Sequence, residues 1–221
     1  MLQRYIKATE ARLTATTATL TRRCIAADTP DVLNAIAAAD CNLAIWERRP
    51  VADFATLVEG TPQDLRFTCK LANLPALLAE GLVQGGYGGS PALHATLIGD
   101  AALLAERFCA AMDLATLELR LEVVRTDSCR KFHADYVTAR LITTYVGEGT
   151  DWLDDGDAAH VAAGAAPERV HRLNTFDVGL FKGKLATDHP AIHRSPPIAD
   201  TGAVRLLLVM NPASRLFVDA A

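Results

Sequence analysis

The chain has no block of basic residues, and its 22 Lys and Arg are outnumbered by 26 Asp and Glu, for a net charge of −4. That balance excludes general nucleic-acid binding, which needs a clustered positive surface. No apolar run approaches the ~20 residues that a membrane span requires. The opening segment MLQRYIKATEAR lacks the continuous apolar stretch of a secretory leader. Together these predict a soluble, cytoplasmic chain. The five cysteines, Cys24, Cys41, Cys69, Cys109 and Cys129, are odd in number and irregular in spacing. They make no disulfide framework and fit a reducing compartment, most of them as small buried hydrophobes. Repeats and long low-complexity linkers are absent too. The glycine-rich stretch at 85–89 lacks the Lys and Ser/Thr of a phosphate-binding loop and reads as a mobile turn.

Half of the 221 residues are hydrophobic, enough for a sizeable core in one domain over 1–221. Helical signals dominate 1–114. Residues 3–27 are weakly helical. Thr29-Pro30-Asp31 caps a short helix through Ile36, and another is expected from Val51 to Val58. A helix from Pro75 to Glu80 should stop at Gly81. Ser90-Pro91 caps a longer one with an apolar stripe of Leu93, Leu97, Leu104, Phe108 and Met112. Two short strands interrupt this half, at Asn42 to Trp46 and at the alternating Leu65, Phe67 and Cys69.

The character changes after Asp113. Leu117, Leu119, Leu121 and Val123 alternate with Glu118, Arg120 and Glu122, as in a half-buried strand. Residues 136–146 (YVTARLITTYV) are rich in β-branched and aromatic side chains. Val178 to Phe181 and Val204 to Met210 are further apolar strands, the last ended by Asn211-Pro212. Residues 158–173 are a helix or an irregular insertion. The order predicts an α+β fold in which N-terminal helices pack on a β sandwich or barrel over 115–211.

Three polar features interrupt the β half. Cys129-Arg130-Lys131-Phe132-His133-Ala134-Asp135 lies between two strands. His189-Pro190-Ala191-Ile192-His193-Arg194-Ser195-Pro196-Pro197 follows a third. Arg205 opens the last strand. In extended backbone, residues two apart point to the same side, so His133 and Asp135 can face one ion together. A second imidazole from His193, 60 residues further on, makes a set of two His and one carboxylate. Such a set leaves coordination positions open and suits non-haem Fe(II). The plainer alternative for His133 and Asp135 is a hydrogen-bonded pair. His189 competes with His193. His94, His160 and His171 read as ordinary.

The order strand, His-x-Asp, strand, insertion, strand, His, loop, Arg-led strand resembles the double-stranded β-helix of the 2-oxoglutarate and Fe(II)-dependent oxygenases, over roughly residues 115 to 211. That resemblance implies Fe(II) on His133, Asp135 and His193. It also implies 2-oxoglutarate with its far carboxylate on Arg205, 12 residues beyond His193. A guanidinium fork suits a carboxylate. A surface ion pair is the alternative role for Arg205, and Arg140 is a second strand arginine that can point into the barrel. A closer likeness, over nearly the whole chain, is to the bacterial domain of unknown function 1826 family. It is carried by Asn42-Leu43-Ala44-Ile45-Trp46, Cys129 to Asp135, Thr144 to Trp152, His193-Arg194-Ser195-Pro196-Pro197 and Arg205 to Val209. This family implies no established activity.

These features predict a metal-dependent oxygenase acting on a small molecule or peptide. Thr144 and Tyr145 are candidates to touch a cosubstrate, although neighbours in a strand face opposite ways. Trp152 reads as packing, and the acidic stretch Asp151, Asp154, Asp155 and Asp157 as a solvated loop. Cys129 opens a second path: a thiolate there could join His133 and His193 around Zn in a closed, non-catalytic site used for zinc handling.

Overall fold

The computed structural model describes residues 23–213. Ten strands follow in chain order: β1 (Cys24–Ala27), β2 (Leu43–Trp46), β3 (Leu65–Cys69), β4 (Leu117–Val124), β5 (Ala139–Val146), β6 (Asp151–Leu153), β7 (His171–Arg172), β8 (Val178–Lys182), β9 (Ile192–Arg194) and β10 (Arg205–Pro212). Three α-helices join them: α1 (Leu74–Gln84), α2 (Pro91–Met112) and α3 (Asp155–Ala162). A seven-stranded sheet has the order β1-β2-β8-β5-β10-β4-β3, and a three-stranded sheet the order β7-β6-β9. Among the described residues, only β1 and β2 pair in parallel. The fold is mixed α+β and rich in sheet. The large sheet takes β1, β2 and β3 from before residue 115 and the other four strands from after it.

Alternation along the central strands gives the large sheet two different faces. Leu119 and Leu121 of β4, Leu141 of β5, and Leu206, Leu208 and Met210 of β10 point to one side. There they share a core with Leu78 and Leu82 of α1 and Leu97, Leu104 and Phe108 of α2. The intervening Arg120, Glu122, Arg140, Ile142, Arg205, Leu207 and Val209 line a cavity on the opposite side. A smaller apolar cluster of Leu43, Ile45, Ile142 and Phe181 meets Leu173, Ala191 and Trp152 there, from the segments that carry the small sheet. A bulge where β10 meets β5 pairs Leu206 with Val146 but Leu207 with Thr144. The extra residue lets Tyr145 and Val146 both join the helix-side core, while Thr144 keeps the cavity face.

Local sequence explains most boundaries. Ser90 Oγ accepts from the Leu93 N–H at 3.2 Å, and Asp113 closes α2 in the left-handed conformation (φ 52°). Several expectations need correction. Cys24–Ala27 is a strand rather than the end of a helix, and the rest of the weakly helical stretch, up to residue 22, lies outside the described residues. Only Ala55–Val58 of the expected 51–58 helix forms, as a 3-10 turn. Gly81 does not end α1 but lies inside it, where it packs against Leu65. The strand over 136–146 starts at Ala139, and β10 runs through Asn211 and Pro212. Among the described residues, no helix is long and apolar enough to cross a membrane.

Candidate metal centre

The loop between β4 and β5 meets β9 in a two-residue antiparallel bridge. The His133 N–H donates to the His193 carbonyl and the His193 N–H to that of His133, each at 3.0 Å. This pairing sets the two imidazoles side by side, with ring centroids 4.8 Å apart. The Phe181 ring backs His193 at 4.7 Å. Further contacts hold the loop to β9 and the chain just after it. Asp127 Oδ1 accepts from the Ile198 and Ala199 N–H groups at 2.8 and 2.7 Å, and the Arg194 guanidinium lies 4.3 Å from the Phe132 ring centre.

The ligand-bearing atoms of His133, Asp135 and His193 lie within 4.8 Å of one another. Nδ1 of His133 is 2.9 Å from the Lys131 carbonyl, and Nδ1 of His193 is 3.4 Å from that of Ala191. A carbonyl only accepts, so each Nδ1 donates to one, and the neutral tautomer that does so leaves Nε2 as the ligand atom. His193 Nε2 stands 3.2 Å from Asp135 Oδ2, and His133 Nε2 stands 3.7 Å from Oδ1. Asp135 Oδ2 is buried and has no hydrogen-bond partner among the described residues. The two Nε2 atoms and the buried carboxylate oxygen thus converge on one point. A buried carboxylate oxygen needs a cation or a proton donor to meet it, and two imidazoles with one carboxylate fit a divalent ion. Burial pushes the Asp135 carboxyl up, but His193, Arg140 and His133 outweigh it and hold the group below the usual carboxylate range.

Arg205 lies on the floor of the same cavity, which has a volume of about 100 Å³. It is buried to 1 % exposure, and no carboxylate lies within 4.0 Å of it among the described residues. The surface-pair alternative is therefore excluded there. Its donors go to neutral acceptors: Nε to the Glu148 carbonyl at 2.6 Å, Nη1 to Ser195 Oγ, and Nη2 to Thr144 Oγ1 at 3.2 Å. Gly147 makes this approach possible; it has φ +82°, and a Cβ there would come within 3.1 Å of Arg205 Cγ. Burial lowers the guanidinium to about 10, which leaves it charged at neutral pH.

The remaining candidates fall around this centre. Cys129 is exposed, has φ 52° and lines the cavity; the three-residue cluster does not include it. Thr144 is buried against Arg205, whereas the Tyr145 hydroxyl turns away and donates to Asp100 Oδ2 at 2.7 Å. His189 is exposed and outside the cluster. Trp152 stacks on His171 at 4.3 Å. The acidic stretch is no solvated loop. Asp151 is fully buried between Arg172 (2.7 Å) and Arg194 (3.0 Å), Asp154 caps α3, and Asp157 accepts the Glu168 and Arg169 N–H groups. Ser195 is absent from the expected site residues. Its position two beyond His193 is the available signal, because extended residues two apart share a side.

A mixed sheet with a His/Asp/His cluster and a buried arginine in one cavity defines a protein with a candidate open metal centre. A family model described as "Protein of unknown function (DUF1826)" matches residues 27–211, and the chain belongs to that family. No curated protein matches it by sequence. Among solved structures it is similar to dioxygenase for auxin oxidation 1 from Arabidopsis thaliana, solved as a 2-oxoglutarate binary complex (11% identity, TM-score 0.46, 86% of this chain and 92% of that one). It is also similar to a putative oxygenase from Shewanella oneidensis (10%, TM-score 0.46, 86% and 89%). A shorter match is to hydroxypropylphosphonic acid epoxidase from S. wedmorenis (19%, TM-score 0.29, 43% and 42%). Likenesses this remote leave the functional reading to the geometry of the site itself.

Proposed function

We propose that this protein is an Fe(II)- and 2-oxoglutarate-dependent oxygenase, built on a double-stranded β-helix and acting on a small-molecule or peptide substrate. The observation that carries the proposal is Arg205, a buried cation with no carboxylate partner among the described residues, in the cavity that His133 and His193 also line. A buried unpaired charge is costly, and a ligand carboxylate would relieve it. His133, Asp135 and His193 would hold the iron, which would supply the oxygen-activating chemistry. Arg205 would take the far carboxylate of 2-oxoglutarate. Ser195 and Thr144 accept from Arg205 and keep their own hydroxyl protons to donate to the same carboxylate. Ile142, Leu207 and Val209 supply an apolar wall.

Titration of Fe(II)-loaded protein with 2-oxoglutarate under anoxic conditions tests this reading. Arg205→Met should weaken 2-oxoglutarate by about 2 kcal/mol or more, roughly thirtyfold, and leave metal affinity unchanged. An iron form that binds no 2-oxoglutarate overturns it. A second reading is a zinc-handling site of Cys129, His133 and His193; Cys129 lines the cavity but stands outside the cluster, so its thiolate would have to move onto the ion. Under that reading Cys129→Ala loses Zn and Arg205→Met changes nothing.

A further inference from the structure

The two oxygens of Asp135 have different surroundings. Oδ2 has no hydrogen-bond partner and faces His193 Nε2. Oδ1 accepts from Arg140 Nη1 at 2.6 Å, the length of a strong charge-assisted bond. Arg140 is itself fixed. Its Nε donates to Asn211 Oδ1 at 2.8 Å, and Asn211 Nδ2 donates to Glu118 Oε1 at 2.9 Å. Glu118 Oε2 in turn accepts from Arg66 Nε and Nη2 at 2.9 and 2.7 Å. These residues sit on β5, β10, β4 and β3, so the row crosses four adjacent strands and ends at the sheet edge. Its inner members are well shielded: Asn211 is buried, and the side chains of Arg140 and Glu118 are 19% and 18% exposed.

A carboxylate at a metal binds through one oxygen or through both. We propose that Arg140, held by Asn211 and Glu118, is a positioning residue that reserves Oδ1 of Asp135 and so confines this carboxylate to a single-oxygen ligand. The inference rests on the metal reading of the cluster but not on the identity of any cosubstrate. Its consequence is a count. Three single-atom ligands leave about three positions open on a six-coordinate ion, whereas a chelating Asp135 would leave about two. A two-toothed ligand and a second small molecule can share the ion only in the first case.

Mn(II), which favours six oxygen-rich positions, is a suitable probe, because the relaxation of solvent protons reports its exchangeable waters. The wild-type protein is expected to show the relaxivity of about three such waters. Arg140→Met frees Oδ1 to chelate, and the relaxivity should fall by about one third with Mn(II) still bound. Arg140→Lys keeps a cationic donor and should restore the wild-type value. Asn211→Ala leaves the guanidinium present but loose and should move the relaxivity in the same direction as Arg140→Met, which decides the matter if Arg140→Met does not fold. Wild-type relaxivity in folded, Mn(II)-loaded Arg140→Met, or in Asn211→Ala, overturns the role of Arg140 and leaves the metal site standing. Failure of the wild-type protein to bind Mn(II), Fe(II) or Co(II) overturns both.

Discussion

Gly183 shows how tightly the ligand segment is fixed. It follows β8 and packs against the backbone of residues 135–137. A Cβ there would collide with the Val137 carbonyl oxygen and come within 2.9 Å of the Asp135 carbonyl oxygen. These oxygens are not free to retreat, because Asp135 O accepts from Lys184 N at 2.9 Å and Val137 O from Leu185 N at 3.1 Å. Gly183→Ala should therefore destabilise the protein by roughly 1–3 kcal/mol, the range for overpacking. It should also weaken metal binding, since the displaced segment carries Asp135. Thermal unfolding and Mn(II) titration of the variant check both effects. Stability lost at full metal affinity would mean that the strain is relieved away from Asp135. The sequence alone offers this glycine only as the end of an apolar run. The constraint comes from a segment about 45 residues earlier in the chain, which no local pattern reveals.

At the scale of elements, the polar row across β5, β10, β4 and β3 couples the Asp135 carboxylate to the sheet edge. Burial pushes the Glu118 carboxyl up, but Asn211 and Arg66, with help from Arg120, outweigh it and leave the group below its ordinary value. A carboxylate with a depressed folded-state value stabilises the fold above the unfolded-state value of about 4.3. That contribution is lost as pH falls through the lower folded value. Glu118→Gln should cost about 0.5–1 kcal/mol at neutral pH, and its deficit against wild type should close as pH falls below about 4. Urea unfolding of both proteins at several pH values measures it; a deficit independent of pH would remove the electrostatic account. Which strands exist was legible from alternation in β4, from β-branched and aromatic content in β5 and from apolar runs in β8 and β10. Which strands are neighbours was not. The Arg140–Asn211–Glu118 row depends on register across three strands, and cross-strand register is set by pairing partners far apart in sequence. Asp151 escapes a local reading for the same reason: its arginines, Arg172 and Arg194, come from other strands of the small sheet. The convergence of His133, Asp135 and His193 was legible because one pair is local and the strand order supplied the third residue.

For the whole molecule, the question is what a metal would hold together. Two candidate ligands sit on the loop between β4 and β5, strands of the large sheet, and the third sits on β9 of the small sheet. A bound ion would thus tie the loop of the large sheet to the small sheet, beside a bridge of two backbone hydrogen bonds. The main core lies on the other face of the large sheet, between it and α1 and α2, and contains none of the three ligands. The apo protein should therefore stay cooperatively folded, unlike a small domain whose metal replaces a core. Metal at about one hundred times its dissociation constant should add about 2.7 kcal/mol to stability. For a chain of this size that raises Tm by roughly 5–11 °C. Hydrogen exchange should slow at residues 133–135 and in β9 when Mn(II) is added, while α2 keeps the rates of the apo form, because local openings of the site do not require the core to open. Chelation that unfolds the entire chain would show that the centre is structural and would favour the zinc reading. No change in Tm or exchange on adding Mn(II), Fe(II) or Zn(II) would mean that the convergence of His133, Asp135 and His193 is not a metal centre.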